Sequence, residues 1–216
     1  MSEAREVILG RARAAGGTAA DFRRGYRRTG ELDRQARVEL LCERIGDYRA
    51  DVRRVEPAGV RPAVVEALEA RGARRVGIPP GLPDDWRPHG LEIVEDTGLG
   101  PDELAALDGV VTGCTLAIAE TGTLVLSSAP GEGRRALTLV PDLHVCIVDE
   151  EDVVEIVPEA MTRLAELVRR ERRPLTFVSG PSATSDIELS RVEGVHGPRT
   201  LVVLLTPRSA PRGRMS

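Results

Sequence analysis

The chain has 216 residues, of which 41% are hydrophobic, and it carries a formal charge of −4. This is enough for one full hydrophobic core with an appendage, and no apolar run reaches the roughly 20 residues that span a bilayer. All thirty basic residues are arginine, which excludes mechanisms that need a lysine amine, such as Schiff-base formation. The first residues lack the apolar segment of a signal peptide, which predicts a cytoplasmic protein.

The N-terminal quarter differs in charge from the rest. Residues 1–54 carry a formal +4 and residues 55–216 a formal −8. Glu31–Tyr48 places apolar side chains at helical spacing, which predicts an amphipathic helix. We therefore expect residues 1–50 to form a basic helical arm that packs on a partner or on a second copy in a homo-oligomer. Only 2% of the residues are aromatic, so base-stacking surfaces for nucleic acid are not expected.

From residue 51 to residue 206, predicted strands alternate with predicted helices. The predicted strands are Asp51–Val55, Arg75–Ile78, Leu91–Val94, Val110–Thr112, Thr123–Ser127, Ala136–Val140, His144–Val148, Leu175–Val178 and Leu201–Leu205. The predicted helices are Arg61–Arg71, Asp102–Leu107, a short one within Gly113–Ala119, and Pro158–Arg172. This order predicts one α/β domain with a mostly parallel sheet covered by helices on both faces. Residues 207–216 are predicted to be a disordered tail.

The cysteines and histidines give no sign of a metal or cofactor. Cys42, Cys114 and Cys146 are far apart, and the three histidines are scattered. Zinc and iron–sulfur sites need clustered ligands, commonly four thiolates for a cluster. We therefore expect reduced, mostly buried thiols, no metal and no cofactor in this chain.

Two polar stretches beside apolar runs are candidates for the functional site. Glu120–Thr123 precedes one predicted strand, and Ser179–Glu188 follows another. Since ligands of open α/β sheets bind at the carboxyl ends of strands, both stretches are expected to line one cleft for a small anion. Ser182 or Thr184 would begin a helical turn whose free N–H groups bind the anion, or would simply cap it. The candidate ligand-binding residues are Thr121, Gly122, Thr123, Ser179, Gly180, Ser182, Thr184 and Glu188.

Three side chains are candidates for catalysis. Glu120 lies between an apolar stretch and a glycine, where partial burial would suit a base or a nucleophile. His196 has a pKa range suited to proton transfer, and Asp186 is the third candidate. Residues 131–136 match the dinucleotide pattern G-x-G-x-x-A, but a predicted strand follows them instead of a helix, so we interpret them as a turn.

Four segments, in this order, resemble the LUD domain family in its lactate-utilization C branch. They are Ala119–Thr123, Pro141–Val145, Ser179–Glu188 and Gly194–Pro198. The resemblance covers residues 110–205 and implies a fold like that of the ribose-5-phosphate isomerase and CoA-transferase group. It also implies a subunit, itself without a redox cluster, of a system that oxidises L-lactate to pyruvate together with an iron–sulfur protein. At position 183 this chain has an alanine, whereas similar proteins often have a basic residue.

Two further functions stay open at this point. A stand-alone enzyme would use Glu120 for acyl transfer, by analogy with CoA-transferases, or would act on sugar phosphates. A regulatory module would bind a nucleotide or a sugar phosphate without catalysis.

Overall fold

The structure is a computed structural model that describes residues 3–15, 25–184, 192–193 and 197–208. The helices are α1 (Glu3–Ala14), α2 (Arg34–Asp47), α3 (Val60–Glu69), α4 (Pro101–Ala105) and α5 (Val157–Glu171). The strands are β1 (Asp51–Arg54), β2 (Arg75–Ile78), β3 (Glu92–Glu95), β4 (Gly109–Thr112), β5 (Leu116–Ile118), β6 (Thr123–Leu126), β7 (Leu143–Asp149), β8 (Val153–Val154), β9 (Thr176–Val178), β10 (Ala183–Thr184), β11 (Val192–Glu193) and β12 (Thr200–Thr206).

Six strands form a central parallel sheet in the order β1-β12-β7-β4-β2-β3. Its two longest strands, β7 and β12, pair over seven residues, from Thr200 beside Leu143 to Thr206 beside Asp149. Nearly all of their side chains are buried, because both faces of the sheet are covered. Such strands appear in a sequence as continuous apolar runs. The predicted α/β class with a mostly parallel sheet is confirmed.

A second sheet of four strands, in the order β8-β5-β6-β9, was not predicted. β6 runs antiparallel to both β5 and β9. The short helix predicted within Gly113–Ala119 is wrong, because Leu116–Ile118 form β5, with a partner strand on each side and all three side chains buried. A short apolar run suits a buried helix or a buried strand equally well, and here pairing decides.

The strand predicted at Ala136–Val140 is also wrong. The backbone folds on itself there, since the N–H of Leu137 donates to Arg134 and that of Val140 donates to Ala136. These local bonds close turns in place of a sheet ladder.

Different elements cover the two faces of the central sheet. α3 packs on one face, where Val64, Leu68 and Val145 belong to one buried cluster. On the other face Cys146 and Val203 pack against α2 and the second sheet. Each layer thus buries its apolar face on the central sheet, as layered domains require.

α2 belongs to this core, although the sequence analysis placed it in an arm. Val38, Leu41 and Ile45 lie on one side of the helix and are fully buried among residues of both sheets. Asp33 caps the helix by accepting the N–H of Ala36 at 2.9 Å. The apolar face that was expected to need a partner or a second copy is therefore covered by the chain itself. By contrast, α1 exposes its side chains, including Ile8.

A buried carboxylate holds the segment that leads into α2. Glu155 is 2% exposed and accepts the backbone N–H groups of Glu31 and Leu32 at 2.5 and 2.6 Å, and Nη1 of Arg27 at 2.7 Å. A Cβ atom at Gly30 would lie 2.5 Å from the Cβ of Glu155, so the chain passes too close for a side chain. A buried carboxylate is costly unless it is paired, and these contacts supply its partners.

Of the tail that was predicted to be disordered, Pro207 and Arg208 are described. Arg208 donates to Asp149 at 2.6 Å and to Asp152 at 2.8 Å, which holds it to the end of β7. Residues 209–216 lie outside the described residues. Within the described chain, none of the helices is both long and apolar enough to cross a membrane.

We predict that Leu41→Ala lowers the free energy of unfolding by about 2–5 kcal/mol, because it leaves a cavity between α2 and the sheets. Urea unfolding of the full chain measures the change. The control is Ile8→Ala on exposed α1, where we expect a change within about 0.5 kcal/mol. Equal effects of the two substitutions would contradict the inclusion of α2 in the core.

Candidate functional site

The start of β6 lies beside the end of β9, because these strands are antiparallel and Leu124 pairs with Val178. This brings Thr123 of the first polar stretch next to Ser179 of the second. The Thr123 hydroxyl lies 2.8 Å from the Ser179 hydroxyl and 2.8 Å from the Thr121 hydroxyl. Three of the predicted ligand-binding residues thus form one chain of hydroxyl groups. They meet in the second sheet, and not at the carboxyl ends of central strands as the sequence analysis expected.

Two glycines let these stretches pass close to the end of α2. Gly122 has a φ of +59°, and a Cβ atom there would lie 2.9 Å from the backbone of Arg44. Gly180 has a φ of +85°, and a Cβ atom there would lie 2.5 Å from the Cβ of Tyr48. A positive φ of this size is strained for residues other than glycine. In addition, the space that a side chain would need at both positions is already occupied. The two predicted glycines therefore shape the loops, with α2 behind them.

A cavity of about 320 Å³ lies beside this chain of hydroxyl groups, at the amino ends of β7 and β12. We call it the His144 cleft. Its polar lining comes from Arg135, Thr138, His144, Thr176, Ser179 and Ser182, and its apolar lining includes Leu139, Phe177, Val178 and Leu201. The volume lies at the small end of the range for small-molecule sites.

His144 forms the buried side of this cleft. Its side chain is 1% exposed, and Nε2 lies 2.8 Å from the Thr112 hydroxyl on the neighbouring strand. The ring also interacts with the sulfur of Cys146, two residues further along β7. A ring held from two sides is fixed in orientation. His144 lies within the segment Pro141–Val145 of the family resemblance but was not predicted as a site residue. The alternation of side chains along a strand does not show which face of the strand borders a cavity.

Arg135 is the cation of the His144 cleft. Its side chain is exposed, and among the described residues it has no ion-pair partner. The turn that carries it is closed by the Thr138 hydroxyl, which donates to the carbonyl of Arg135 at 3.2 Å. An unpaired guanidinium beside the Ser179 and Ser182 hydroxyls favours an anionic ligand, and a carboxylate suits its planar fork. Arg135 was not predicted as a site residue from the sequence.

The turn at residues 131–133 is built around a buried acid. Glu132 accepts the backbone N–H of Ser127 at 2.5 Å and the Thr115 hydroxyl at 2.5 Å, and it is 5% exposed. Gly131 and Gly133 have positive φ values on either side of it. No described helix starts here, so the G-x-G-x-x-A match is a turn, as predicted.

Glu120 lies outside the lining of the His144 cleft. Its side chain is 52% exposed and forms an ion pair with Arg27 at 3.1 Å. The partial burial that was expected to make it a base or a nucleophile is therefore small. The structure places Glu120 at the edge of the second sheet, where its N–H donates to the carbonyl of Glu155.

The second polar stretch continues as a strand pair and not as the expected helix. Ser182 donates its N–H to the carbonyl of Pro198 at 2.8 Å, and Thr184 lies in β10, antiparallel to β11. The helix N-terminus expected there is absent at the described residues 182–184. The other candidates lie outside the described residues: Asp186, Glu188 and His196.

A pair of thiols lies beneath the cleft. Cys146 is fully buried, and the hydrogen bond from the Cys114 thiol, assisted by His144 and Thr112, lowers the pKa of Cys146 to about 6. Burial raises the pKa of Cys114. One sulfur of the pair therefore holds its proton while the other loses it readily. In the described part of the chain, no group of three or more His, Cys, Asp or Glu side chains is arranged to hold a metal ion.

Fold and cleft together define an α/β protein whose second sheet closes a polar, ligand-sized cleft over the amino end of the central sheet. A family model for the LUD domain matches residues 101–206. The lactate utilization protein C of Deinococcus radiodurans is 47% identical over 174 residues, which are 79% of this chain and 81% of that protein. The lactate utilization protein C of Shouchella clausii is 28% identical over 176 residues, 74% and 75% of the two chains.

Among solved structures, the crystal structure of a DUF162 family protein from Deinococcus radiodurans is similar, with a TM-score of 0.71 and 38% identity. The match covers 82% of this chain and 99% of that one. The chain belongs to the LUD domain family, which confirms the resemblance seen in the sequence.

We predict that the stabilising effect of Cys146 rises with pH. Its pKa is lowered from 9.0 to about 6 in the folded protein, so the folded state binds fewer protons than the unfolded state between these values. The contribution is complete above the unfolded pKa and is lost as the pH falls through the folded pKa. The difference in unfolding free energy between the wild type and Cys146→Ser should grow from about pH 6 to pH 9.

Urea unfolding at several pH values measures this difference. Cys42→Ser is the control, since burial raises the pKa of Cys42 above its ordinary 9.0, so its contribution to stability should not rise between pH 6 and pH 9. A difference for Cys146→Ser that stays constant with pH would contradict the prediction.

Proposed function

We propose that this protein acts in lactate utilization and binds a small hydroxy- or keto-carboxylate in the His144 cleft. Two relatives named lactate utilization protein C support the first part, since each is similar over about three quarters of the chain or more. The single observation that carries the second part is Arg135, which has no ion-pair partner among the described residues and lines a small cleft with several hydroxyl groups.

The cleft has groups for each part of such a ligand. Arg135 would hold the carboxylate, because a guanidinium offers two parallel N–H donors to its two oxygens. The Ser179 and Ser182 hydroxyls can donate to a 2-keto oxygen, and they can donate to or accept from a 2-hydroxyl. The apolar side chains of Leu139 and Leu201 suit the methyl group. His144, whose ring is held by Thr112, lies at the buried end of the cleft, where the environment of the ring would change with the charge and polarity of the bound ligand.

We further propose that the electrons of lactate leave through a partner protein with iron–sulfur clusters. The chain has three cysteines, one fewer than the usual four ligands of a cluster. Cys114 and Cys146 lie together inside the fold, where the Cys114 thiol also donates to the carbonyls of Leu116 and Val125. This chain would then bind the carboxylate or support the redox partner, and would not carry the electrons itself.

Acyl transfer through Glu120 has less support. A nucleophilic carboxylate is expected to be partly desolvated and to face the substrate. Glu120 is half exposed, is paired with Arg27, and does not border the cleft.

We predict that deletion of the gene abolishes growth on L-lactate as the carbon source and leaves growth on pyruvate unchanged. Complementation with the wild-type chain should restore growth on L-lactate. Growth curves on the two carbon sources measure the effect. Undiminished growth of the deletion strain on L-lactate would contradict the role in lactate utilization.

We predict that Arg135→Gln weakens the binding of L-lactate or pyruvate to the purified full chain by about tenfold or more, because a charge-assisted hydrogen bond is lost. Isothermal titration calorimetry measures the affinity. The control is Arg169→Gln, at an exposed arginine of α5, which should bind like the wild type. Equal affinity of the two variants would contradict carboxylate binding in the His144 cleft. The growth experiment would still test the role in lactate utilization separately.

A further inference from the structure

A second cavity lies at the opposite end of the central sheet from the His144 cleft. Its volume is about 830 Å³. Asp149 and Thr206, the last residues of β7 and β12, form part of its floor. Seven-residue strands separate the two cavities by roughly 20 Å, so they are distinct sites. We call this second cavity the carboxyl-edge cavity.

The segments that follow three of the parallel strands meet in the carboxyl-edge cavity. The turn after β1 and the first turn of α3 contribute Pro57 and Arg61, and the segment after β2 contributes Trp86. The segment after β12 contributes Pro207. Open α/β sheets bind ligands outside the carboxyl ends of their strands, because loops from several strands converge there. The topology alone therefore predicts a ligand-binding position at the carboxyl end of the central sheet.

One wall of the carboxyl-edge cavity is flat and apolar. Trp86, the one tryptophan of the chain, is half-buried, and one edge of its indole packs near Gly113 in the interior. Pro57, Pro83 and Pro207 line the same cavity. A rigid indole among prolines suits a planar aromatic ring, which gains contact area at little cost in conformational entropy.

The other wall carries a guanidinium that is only partly satisfied. Nη2 of Arg61 donates to the carbonyl of Asp84 at 2.6 Å, which fixes the side chain. Its nearest carboxylate, on exposed Asp85, is 3.8 Å away, and its Nε is buried with no hydrogen-bond partner in the described structure. A buried, unpaired donor is costly unless a ligand satisfies it. The other arginine of this cavity, Arg208, is already neutralised by Asp149 and Asp152.

We propose that the carboxyl-edge cavity binds a nucleoside phosphate, with the base against Trp86 and a phosphate at Arg61. A phosphate accepts hydrogen bonds from a guanidinium in the same geometry as a carboxylate does. The adjacent start of α3 adds the positive end of a helix dipole. The volume lies within the upper part of the range for small-molecule sites and admits both parts of the ligand.

Tryptophan fluorescence of the full chain tests the proposal, since all of its signal comes from Trp86. ADP should change the fluorescence saturably, and adenosine or inorganic phosphate alone should bind about tenfold more weakly or worse, because each lacks one of the two contacts. ADP should also protect Trp86 from quenching by acrylamide in the wild type. L-lactate should not displace ADP, which keeps this test separate from that of the His144 cleft.

Arg61→Gln should weaken ADP binding by about tenfold or more, while Arg74→Gln, at an exposed arginine outside the cavity, should leave it unchanged. Thermal unfolding of both variants checks that they are folded, and acrylamide protection in the wild type needs no variant. The proposal is overturned by a lack of saturable change with ADP, by equal affinity in the two variants, or by inorganic phosphate binding as tightly as ADP.

Discussion

Close packing of the second sheet against β7 and β12 is the constraint on which the described architecture depends. Ala117, Ala119 and Cys146 lie at this contact and are fully buried, and their small side chains let the two sheets approach. Larger residues there would separate the layers, since protein interiors tolerate little extra volume. The same contact fixes where β9 ends, and therefore where Ser179 and Gly180 stand relative to His144 at the start of β7. The His144 cleft is the gap that this arrangement leaves.

The N-terminal segment completes this packing from outside. α2 closes the remaining part of the same face, and the carboxylate of Glu155 holds the chain that enters it. Gly122 lies against Arg44 of α2 and Gly180 against Tyr48, which directly follows the helix, so the end of α2 also supports both polar loops. The charged N-terminal segment that contains α2 thus covers part of the core, which its charge alone did not predict. Both ends of the central sheet border a cavity: the His144 cleft beside the second sheet and the carboxyl-edge cavity among the loops at the other end.

Much of the fold follows from local patterns in the sequence. Continuous apolar runs such as Leu201–Leu205 predicted the buried parallel strands, and the regular spacing along Pro158–Arg172 predicted α5. The second sheet did not follow, because β5 and β8 have only three and two residues, too few for a period to be measured, and because no local pattern pairs the predicted strands Thr123–Ser127 and Leu175–Val178 with each other. Its pairing comes from contacts between segments far apart in the chain.

The site was predictable only in part for the same reason. Hydroxyls and glycines beside strands indicated the loops around Thr123 and Ser179. Which cation and which histidine face them depends on the turn that carries Arg135 and on which side of β7 borders the cavity, and neither has a local signal. Glu120 has a sequence neighbourhood typical of a catalytic carboxylate, but it is half exposed and is paired with Arg27 from a remote segment. Tertiary contacts thus decide which of the polar residues face the cleft.

Histidine side-chain NMR tests the central claim, a carboxylate site whose buried side is His144, most directly. The chain has three histidines, and the resonances of His144 can be assigned with His144→Gln. Our account predicts that added L-lactate or pyruvate shifts the His144 ring signals saturably and leaves those of His89, which lies outside the lining of the cleft, in place. Unchanged His144 signals at saturating carboxylate, or equal shifts for His89, would contradict the account.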